Sequence, residues 1–314
     1  MSLKTKLKGV KRVHSLYSRL YGIFFRGLAF ISPRWFYAVK CRISVLKRWP
    51  DLRNPKTYAD KMVWLIVNWR HPLKSRCADK YAVRDYVKEC GCEEILIPLI
   101  GAWDRVEDID FYALPQRFVL KCNHGCGCNI ICKDKTKLDV EDAKKKLRQW
   151  MSVDYGKYSG EIHYSSIKPK IICEEYLDAG EGVLPTDYKC FCFGGKFFCC
   201  DTIAGRPTNF YSGDTHGVFR EFVYDKTWTR MRLLRCEEDV DENIPCPPCY
   251  DKMIKMAEKL SGPFPMVRVD FYSVGGRLYF GELTFTSSGG LGVGWSDEAQ
   301  KIMGDLIQLP EPIK

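Results

Sequence analysis

Acidic residues are missing from the first 50 positions of the chain. This stretch contains six lysines and six arginines but no aspartate or glutamate, so its formal charge is +12. The whole chain carries +10, and residues 51–314 therefore carry −2. Because the excess charge is confined to one end, an anionic partner is expected for residues 1–50 and not for the nearly neutral remainder.

A long apolar run is also missing. No stretch reaches the roughly 18 apolar residues that a helix needs to cross a bilayer, and the best candidate, residues 21–31, is interrupted by Arg26. The segment that follows, residues 32–35 (SPRW), does not form the small-residue cleavage site of a signal peptide. The chain is therefore expected in the cytoplasm, with its 16 cysteines present as reduced thiols.

Paired CxxC motifs, which mark many structural zinc sites, are likewise absent. One group of cysteines lies within residues 122–132 without that spacing, and the lone CxxC at Cys246 and Cys249 has no partner pair. Structural zinc is thus a weak alternative. With 46% hydrophobic and 28% charged residues, the composition is that of a globular protein with two or three subdomains.

The basic N-terminal segment, residues 1–57, has apolar residues at helical spacing among its lysines and arginines. They are Leu7, Val10, Val13, Leu16, Tyr17 and Leu20. This pattern predicts a basic amphipathic helix, and Phe24, Phe25, Trp35 and Phe36 would reinforce its apolar side. The segment is interpreted as a peripheral anchor on an anionic membrane surface. A helix packed on the body is the alternative, and nucleic acid is an unlikely partner.

Alternation between apolar and polar residues predicts a β-hairpin over Val267–Leu283, with a tight turn at Gly275-Gly276. Asp270 lies in its first strand and Glu282 near the end of its second. Two carboxylates facing each other across a hairpin are suited to Mg²⁺, which prefers carboxylate, phosphate and water oxygens. The alternative is a surface hairpin whose charges point to solvent.

A second candidate site follows a predicted strand at Phe118–Lys121, where a glycine-bearing turn leads into a return strand at Asn129–Cys132. Lys121, His124, Gly125 and Gly127 would contact phosphate there, because glycines let backbone N–H groups approach closely. The GxxxxGK[ST] phosphate loop is absent. Further phosphate-binding candidates are Lys80, predicted at the start of a helix over Ala78–Cys90, and Lys189, predicted in a strand. An ordinary hairpin and surface lysines remain the alternatives.

Taken in order, these features resemble the ATP-grasp enzymes, and specifically the TupA-like ATP-grasp family of polysaccharide gene clusters. The resemblance extends from about Tyr58 to Leu309 and excludes the N-terminal segment. The stretches that carry it are ADKYAVRDYV (78–87), LIPLIGAWD (96–104), FVLKCNHGCG (118–127), IICEEYL (171–177), DYKCFCFGGK (187–196) and FPMVRVDFY…GRLYFGELTFT (264–286).

The resemblance implies an α+β fold in which two subdomains enclose ATP. The ATP-grasp domain would span residues 58–314, with a glycine-turn lid subdomain at about 115–175. Lys80 and Lys121 would contact phosphates, Glu174, Tyr176 and Leu177 would line the adenine site, and Asp187 would lie near the ribose. Asp270 and Glu282 would hold Mg²⁺, with Thr284 where these enzymes commonly have asparagine. Arg268 and Lys189 would act on the reacting groups.

The function implied is that of an ADP-forming ligase, in which ATP activates a carboxylate as an acylphosphate and an amine then attacks it. The carboxylate is expected to be a uronic acid of a cell-surface polysaccharide precursor. A sugar kinase with the same ATP site is one alternative, and a nucleotide-binding scaffold is another. A glycosyltransferase is a third, although the chain has no convincing DxD pair, since Asp108 and Asp110 fall in a predicted loop.

Overall fold

A computed structural model describes residues 27–28, 31–180, 184–206, 219–236 and 242–311. The amphipathic helix predicted from positions 7–20, together with Phe24 and Phe25, lies outside the described residues. None of the helices formed by the described residues combines the length and apolar composition needed to span a bilayer.

The described residues form helices and two antiparallel sheets, which confirms the α+β fold that the resemblance implies. The helices are α1 (Pro33–Cys41), α2 (Tyr58–Asn68), α3 (Pro72–Ala78), α4 (Val83–Glu89), α5 (Val140–Met151), α6 (Tyr155–Ser159), α7 (Tyr250–Ser261) and α8 (Asp297–Leu306). The strands are β1 (Leu99–Trp103), β2 (Phe118–Cys122), β3 (Asn129–Cys132), β4 (Ile171–Glu175), β5 (Asp187–Phe193), β6 (Lys196–Ala204), β7 (Arg220–Tyr224), β8 (Arg230–Met231), β9 (Met266–Val274) and β10 (Arg277–Thr284).

These strands form two antiparallel sheets. The smaller has the order β1-β4-β2-β3 and the larger the order β10-β9-β5-β6-β7-β8. Helix α5 packs on β2 and closes a separate small core that includes Phe118, Leu120 and Leu147. Helix α7 packs on β5, β6 and β9 over the main core. Each sheet therefore has its own covered face, which is the arrangement of two subdomains.

The predicted hairpin is confirmed as β9 and β10, and both turn glycines have positive φ, 59° at Gly275 and 75° at Gly276. A bulge between Phe280 and Glu282 changes the register, so that Phe280 pairs with Phe271 but Glu282 pairs with Asp270. In a regular hairpin Glu282 would stand opposite Val269 and face the core, because side chains alternate between faces. The extra residue turns Glu282 to the face that carries Asp270.

One local prediction is wrong. Of the helix predicted over Ala78–Cys90, only Val83–Glu89 forms α4; Ala78 ends α3, and Lys80 lies in the turn between the two helices. The side chain of Asp79 accepts hydrogen bonds from the backbone N–H groups of Tyr81 and Ala82, which competes with the helical pattern.

Part of the basic N-terminal segment packs on the body. Phe36, Tyr37 and Cys41 of α1 are buried against Val63 and Leu291. The serine preceding α1 caps it, since its side chain accepts a hydrogen bond from the Trp35 N–H. The packed-helix alternative therefore holds for α1.

Candidate functional site

A cleft between the two sheets contains about 610 Å³ of space, a volume that includes its opening to solvent. Its lining from the smaller sheet and the segment after it is Val119, Lys121, Asn129, Ile131, Glu175, Tyr176 and Leu177; the rest is Ile97, Leu184, Pro185, Arg206 and Tyr272. The cleft thus brings together Tyr176 and Leu177, which were expected at the adenine site, and Lys121, which was expected to contact phosphates. The apolar side chains among these residues suit a flat aromatic base, and Lys121 adds a cation.

Glu174 does not line the cleft, although it was predicted to do so. Its carboxylate is buried and accepts hydrogen bonds from Lys121 Nζ at 2.6 Å and from Arg84 Nη1 at 3.2 Å. Arg84 also donates from Nη2 to the Ile97 carbonyl oxygen at 2.8 Å. Glu174 therefore fixes the position of the Lys121 side chain, and the exposed neighbour Glu175 lines the cleft instead.

Lys80 joins the glycine turn to the hairpin. Its Nζ donates to the Gly125 carbonyl oxygen at 2.7 Å and lies 3.3 Å from Glu282 Oε2. The turn needs its glycines for two reasons. A Cβ at Gly125 would lie 2.9 Å from the Tyr155 ring, and Gly127 has a φ of +76°.

His124 lies in the same turn but faces away from Lys80. Its Nδ1 is 3.3 Å from Asn123 Oδ1, and its Nε2 is 3.3 Å from the Trp150 carbonyl oxygen at the end of α5. Burial lowers the pKa of His124, so its ring is neutral at pH 7. The ring is thus engaged in holding the turn against α5 and is not directed at the cleft.

Arg268 is the centre of a dense polar cluster. It binds Asp270 through two hydrogen bonds of 2.6 Å, from Nε to Oδ1 and from Nη2 to Oδ2. It also donates to Thr284 Oγ1 at 3.1 Å and to Ser287 Oγ at 2.7 Å. Thr284 in turn donates to Glu282 Oε1 at 3.0 Å. The cross-strand pairing of Asp270 with Glu282, and of Arg268 with Thr284, fixes this arrangement.

The Glu282 carboxylate is held in its charged form. Burial opposes ionisation, but Lys80 and then Arg268 lower the pKa of Glu282 to about 2. The group is therefore ionised at neutral pH and stays so until the solution is strongly acidic.

Two oxygen-donor side chains and a hydroxyl at one place fit Mg²⁺, which takes one or two carboxylates and completes its shell with phosphate oxygens and water. Asp270, Glu282 and Thr284 supply that set. In this structure the positive charges of Arg268 and Lys80 neutralise these two carboxylates. Across the part of the chain that the structure describes, no group of three or more His, Cys, Asp or Glu side chains is arranged to hold a metal ion.

Lys189 and Asp187 lie on the neighbouring strand β5. Lys189 pairs in register with Asp270 on one side and Asp201 on the other, and its Nζ is 3.9 Å from Asp201 Oδ2. Asp187 is buried in an ion pair with Arg206. Arg206, and not Asp187, reaches the cleft, so Asp187 is placed as its support.

Sequence reasoning missed Arg84, Asp201 and Arg206. Each acts through a partner that is distant in sequence or on another strand, and no local spacing marks such a pair. The one signal was the position of Asp201 in the second strand of a predicted hairpin, opposite Lys189; Arg206 lies beyond the end of that strand.

The family model of the TupA-like ATPgrasp proteins matches residues 60–308. No curated protein matches the chain. Among solved structures, D-alanine–D-alanine ligase from Bacillus anthracis complexed with ATP is 16% identical, over 67% of this chain and 55% of its own, with a TM-score of 0.40. The L-amino acid ligase from Bacillus licheniformis is 13% identical, over 78% of this chain and 53% of its own, with a TM-score of 0.46.

This chain therefore spans little more than half the length of either ligase. With TM-scores this low, neither structure adds to what the family match shows. That match covers the glycine turn, the cleft and the β9–β10 hairpin, and both sheets lie within it. The chain belongs to the TupA-like ATP-grasp family.

Proposed function

We propose that the protein is an ADP-forming carboxylate–amine ligase that uses ATP and Mg²⁺. The observation that carries this proposal is the meeting of Lys80, Arg268, Asp270 and Glu282 at the end of the cleft-forming hairpin. Cations and carboxylates together are what a triphosphate with its metal requires. A structural hairpin would not need four charged groups whose charges are largely removed from water.

The reaction proceeds in two steps. A substrate carboxylate oxygen attacks the γ-phosphorus of ATP, the bond to the β-phosphate breaks, and ADP leaves. An amine then attacks the carbonyl carbon of the acylphosphate, the C–O bond breaks, and phosphate leaves with the release of one proton. The net products are an amide, ADP and phosphate.

The residues divide between these tasks by position. Tyr176 and Leu177 line the end of the cleft proposed for adenine, and Lys121, braced by Glu174, contacts the phosphates beside it. Lys80 contacts both the glycine turn and Glu282. It therefore holds the turn next to the position proposed for the γ-phosphate. Arg268 and Lys189 act on charge that develops at the reacting centre.

Asp270, Glu282 and Thr284 would hold the magnesium. When bound, Mg²⁺ neutralises charge on the phosphate oxygens. Arg268 and Lys80, which pair with the two carboxylates here, are then free to turn toward the phosphates. The charge balance of the site is kept because each cation exchanges one anionic partner for another.

For the carboxylate substrate we propose a uronic acid of a cell-surface polysaccharide precursor, with an amino acid or another amine as acceptor. This choice follows from the resemblance to proteins of polysaccharide gene clusters. A kinase would use the same ATP site but transfer the phosphoryl group to a hydroxyl, so only the product separates the two.

Incubation with Mg-ATP, D-glucuronate or D-galacturonate, and a mixture of amino acids is expected to release ADP and to yield a product of the mass of sugar plus amine minus water. Mass spectrometry and a coupled ADP assay measure both. A mass gain of one phosphate would point to a kinase instead. ATP that stays intact with every sugar would contradict enzymatic use of the site on uronates.

We further propose that the enzyme works at the cytoplasmic surface of a membrane. In α1 and the segments on either side of it, large apolar side chains are exposed, Ile31 by 81%, Trp35 by 58%, Ile43 by 48% and Trp49 by 49%. Basic residues lie among them and acidic ones are missing up to position 50. Tryptophans beside arginines are suited to the headgroup region of an anionic bilayer.

Replacement of both Trp35 and Trp49 by serine is expected to reduce binding to vesicles that contain phosphatidylglycerol roughly tenfold, because the inserted aromatic area is lost. Co-sedimentation measures this. Tyr112→Ser is the matched control, since Tyr112 is 95% exposed outside this segment. Equal recovery of the unaltered protein with neutral phosphatidylcholine vesicles would contradict the membrane proposal.

A further inference from the structure

A line of charged residues crosses the larger sheet beyond the proposed magnesium ligands. Glu282 pairs with Asp270, Asp270 with Lys189, and Lys189 with Asp201. Directly paired residues on adjacent strands have their side chains on the same face, about 5 Å apart. The reacting centre proposed above is therefore continuous with Asp201 on β6.

Glu221 extends this line onto β7. It pairs with Ile203, which stands two residues after Asp201 and so has its side chain on the same face. The two carboxyl groups therefore lie on one face of adjacent strands, and the negative charge of Asp201 acts on Glu221.

The pair is incompletely satisfied. The side chain of Asp201 is only 10% exposed, and its Oδ1 has no hydrogen-bond partner among the described residues. The nearest cation, Lys189 Nζ, is 3.9 Å from Oδ2. Buried polar groups are nearly always bonded, and an exception points to a missing partner. Glu221 is half-exposed and gives access to the pair from outside.

The ligase reaction requires a group that removes a proton from the amine, and the carboxylates of the ATP site are not free for this task. Asp270 is held by Arg268 through two hydrogen bonds, and Glu282 by Lys80 and Thr284. Both are also the proposed metal ligands. A carboxylate on the same face but outside these pairs would be free for this task.

We infer that Glu221 binds the acceptor amine and takes up its proton, and that Asp201 positions Glu221 for this task. The inference rests on the proposed ligase function and assigns its second substrate to a cationic primary amine. The ammonium form would bind to the anionic pair through N–H···O hydrogen bonds.

The proton balance is as follows. The ammonium group gives one proton to the Glu221 carboxylate, and the neutral nitrogen attacks the acylphosphate carbonyl. The second nitrogen proton leaves with the departing phosphate as the C–O bond breaks. Glu221 returns its proton to water, so each turnover releases one proton in total.

The surroundings of Glu221 agree with this role. Burial and then the negative charge of Asp201 raise the pKa of Glu221 to about 7, and Lys189 on β5 opposes the rise. Burial also raises the pKa of Asp201, and the positive charges of Lys189 and of Arg268 on β9 oppose that rise. A base is most effective when its pKa lies near the working pH.

Hydroxylamine separates this inference from the proposed function. It is largely uncharged at neutral pH, so it attacks acylphosphates without a base or an anionic subsite, and the hydroxamate product is measured by its ferric colour. We expect Glu221→Gln to form hydroxamate from Mg-ATP and D-glucuronate at the rate of the unaltered enzyme. Amide formation with glycine or ammonium is expected to fall about 100-fold.

Asp201→Asn tests the positioning role. Removal of the neighbouring negative charge lowers the pKa of Glu221, so the acid limb of the pH–rate profile for amide formation is expected to move to lower pH. The amine's own titration is the same in both proteins and cancels in the comparison. Glu298→Gln, an equivalent change at an exposed position of α8, is the control and is expected to alter neither rate.

The outcomes are distinguishable. Equal loss of hydroxamate and amide in Glu221→Gln would overturn the amine role, because activation of the carboxylate would then depend on Glu221. Hydroxamate without amide from the unaltered enzyme would overturn the subsite while the carboxylate activation stands. Absence of both products from the unaltered enzyme would overturn the proposed ligase function, and this inference with it. An unmoved acid limb in Asp201→Asn would overturn the positioning role.

Discussion

Glu282→Gln is expected to reduce Mg²⁺-dependent ATP turnover by about 10³-fold, comparable to the removal of other electrostatic groups at a phosphoryl-transfer centre. The amide preserves the shape of the side chain and can still accept the Thr284 hydrogen bond, but it removes the negative charge. One of the two carboxylates proposed for the metal is lost. Lys80 also loses the carboxylate that lies 3.3 Å from its Nζ.

The measurement is ADP release as a function of Mg²⁺ concentration, with thermal unfolding to check the fold. Glu282 lies at the open side of the sheet with its side chain 32% exposed, so the exchange is expected to leave the structure intact. Glu141→Gln, at a position 78% exposed on α5, is the matched control. Turnover within a few-fold of the unaltered protein would remove Glu282 from the metal site.

The same residue illustrates what the sequence could and could not predict. Alternation and the Gly275-Gly276 pair were sufficient to predict the β9–β10 hairpin and its turn. Spacing alone, however, would place Glu282 opposite Val269, on the core face. Only the bulge at Gly281 brings it opposite Asp270, and a Cβ at Gly281 would lie 3.0 Å from the Asp270 carbonyl oxygen. A glycine inside a strand is a signal for a bulge but does not fix its type.

Local polar competition accounts for the error at Lys80. Apolar spacing over Ala78–Cys90 favoured one helix, yet the Asp79 side chain binds two backbone N–H groups and ends that pattern. The resulting turn directs Lys80 toward Gly125 and Glu282. Residues with short polar side chains often override helical periodicity in this way, and the lysine proposed to contact phosphate lies in the resulting turn.

The bracing of the cleft could not be predicted because its pairs are remote in sequence. Lys121 and Glu174 are 53 positions apart, and Arg84 and Glu174 are 90 apart. The strands β2 and β4 bring Lys121 and Glu174 to neighbouring positions of one sheet. A strand ending in two glutamates indicated a site, but which of the two would face inward depends on the pairing. Glu174 supports the lysine, and Glu175 reaches the cleft.

Arg268→Ala is expected to lower product formation by about 10³-fold while the affinity for ATP changes only a few-fold. The change leaves Lys121 and the end of the cleft proposed for adenine unaltered, and these are the groups proposed to bind the nucleotide. Arg268 instead contacts Asp270, Thr284 and Ser287, at the end of the hairpin where the carboxylate is proposed to react. Arginine residues that stabilise a transferring phosphoryl group contribute about 10³–10⁵-fold to the rate.

The alanine variant also leaves Asp270 buried without its partner, at a cost of about 3–5 kcal/mol in the free energy of unfolding. Arg268→Lys separates the two effects. It keeps a cation near Asp270 but loses the planar pair of hydrogen bonds, so it should regain most of the stability and only part of the activity. Isothermal titration with a non-hydrolysable ATP analogue, product formation and thermal unfolding would be measured for both variants. Full product formation by the lysine variant would mean that Arg268 acts as a simple counter-charge for Asp270, and loss of nucleotide binding in both would place it on the ATP side of the site.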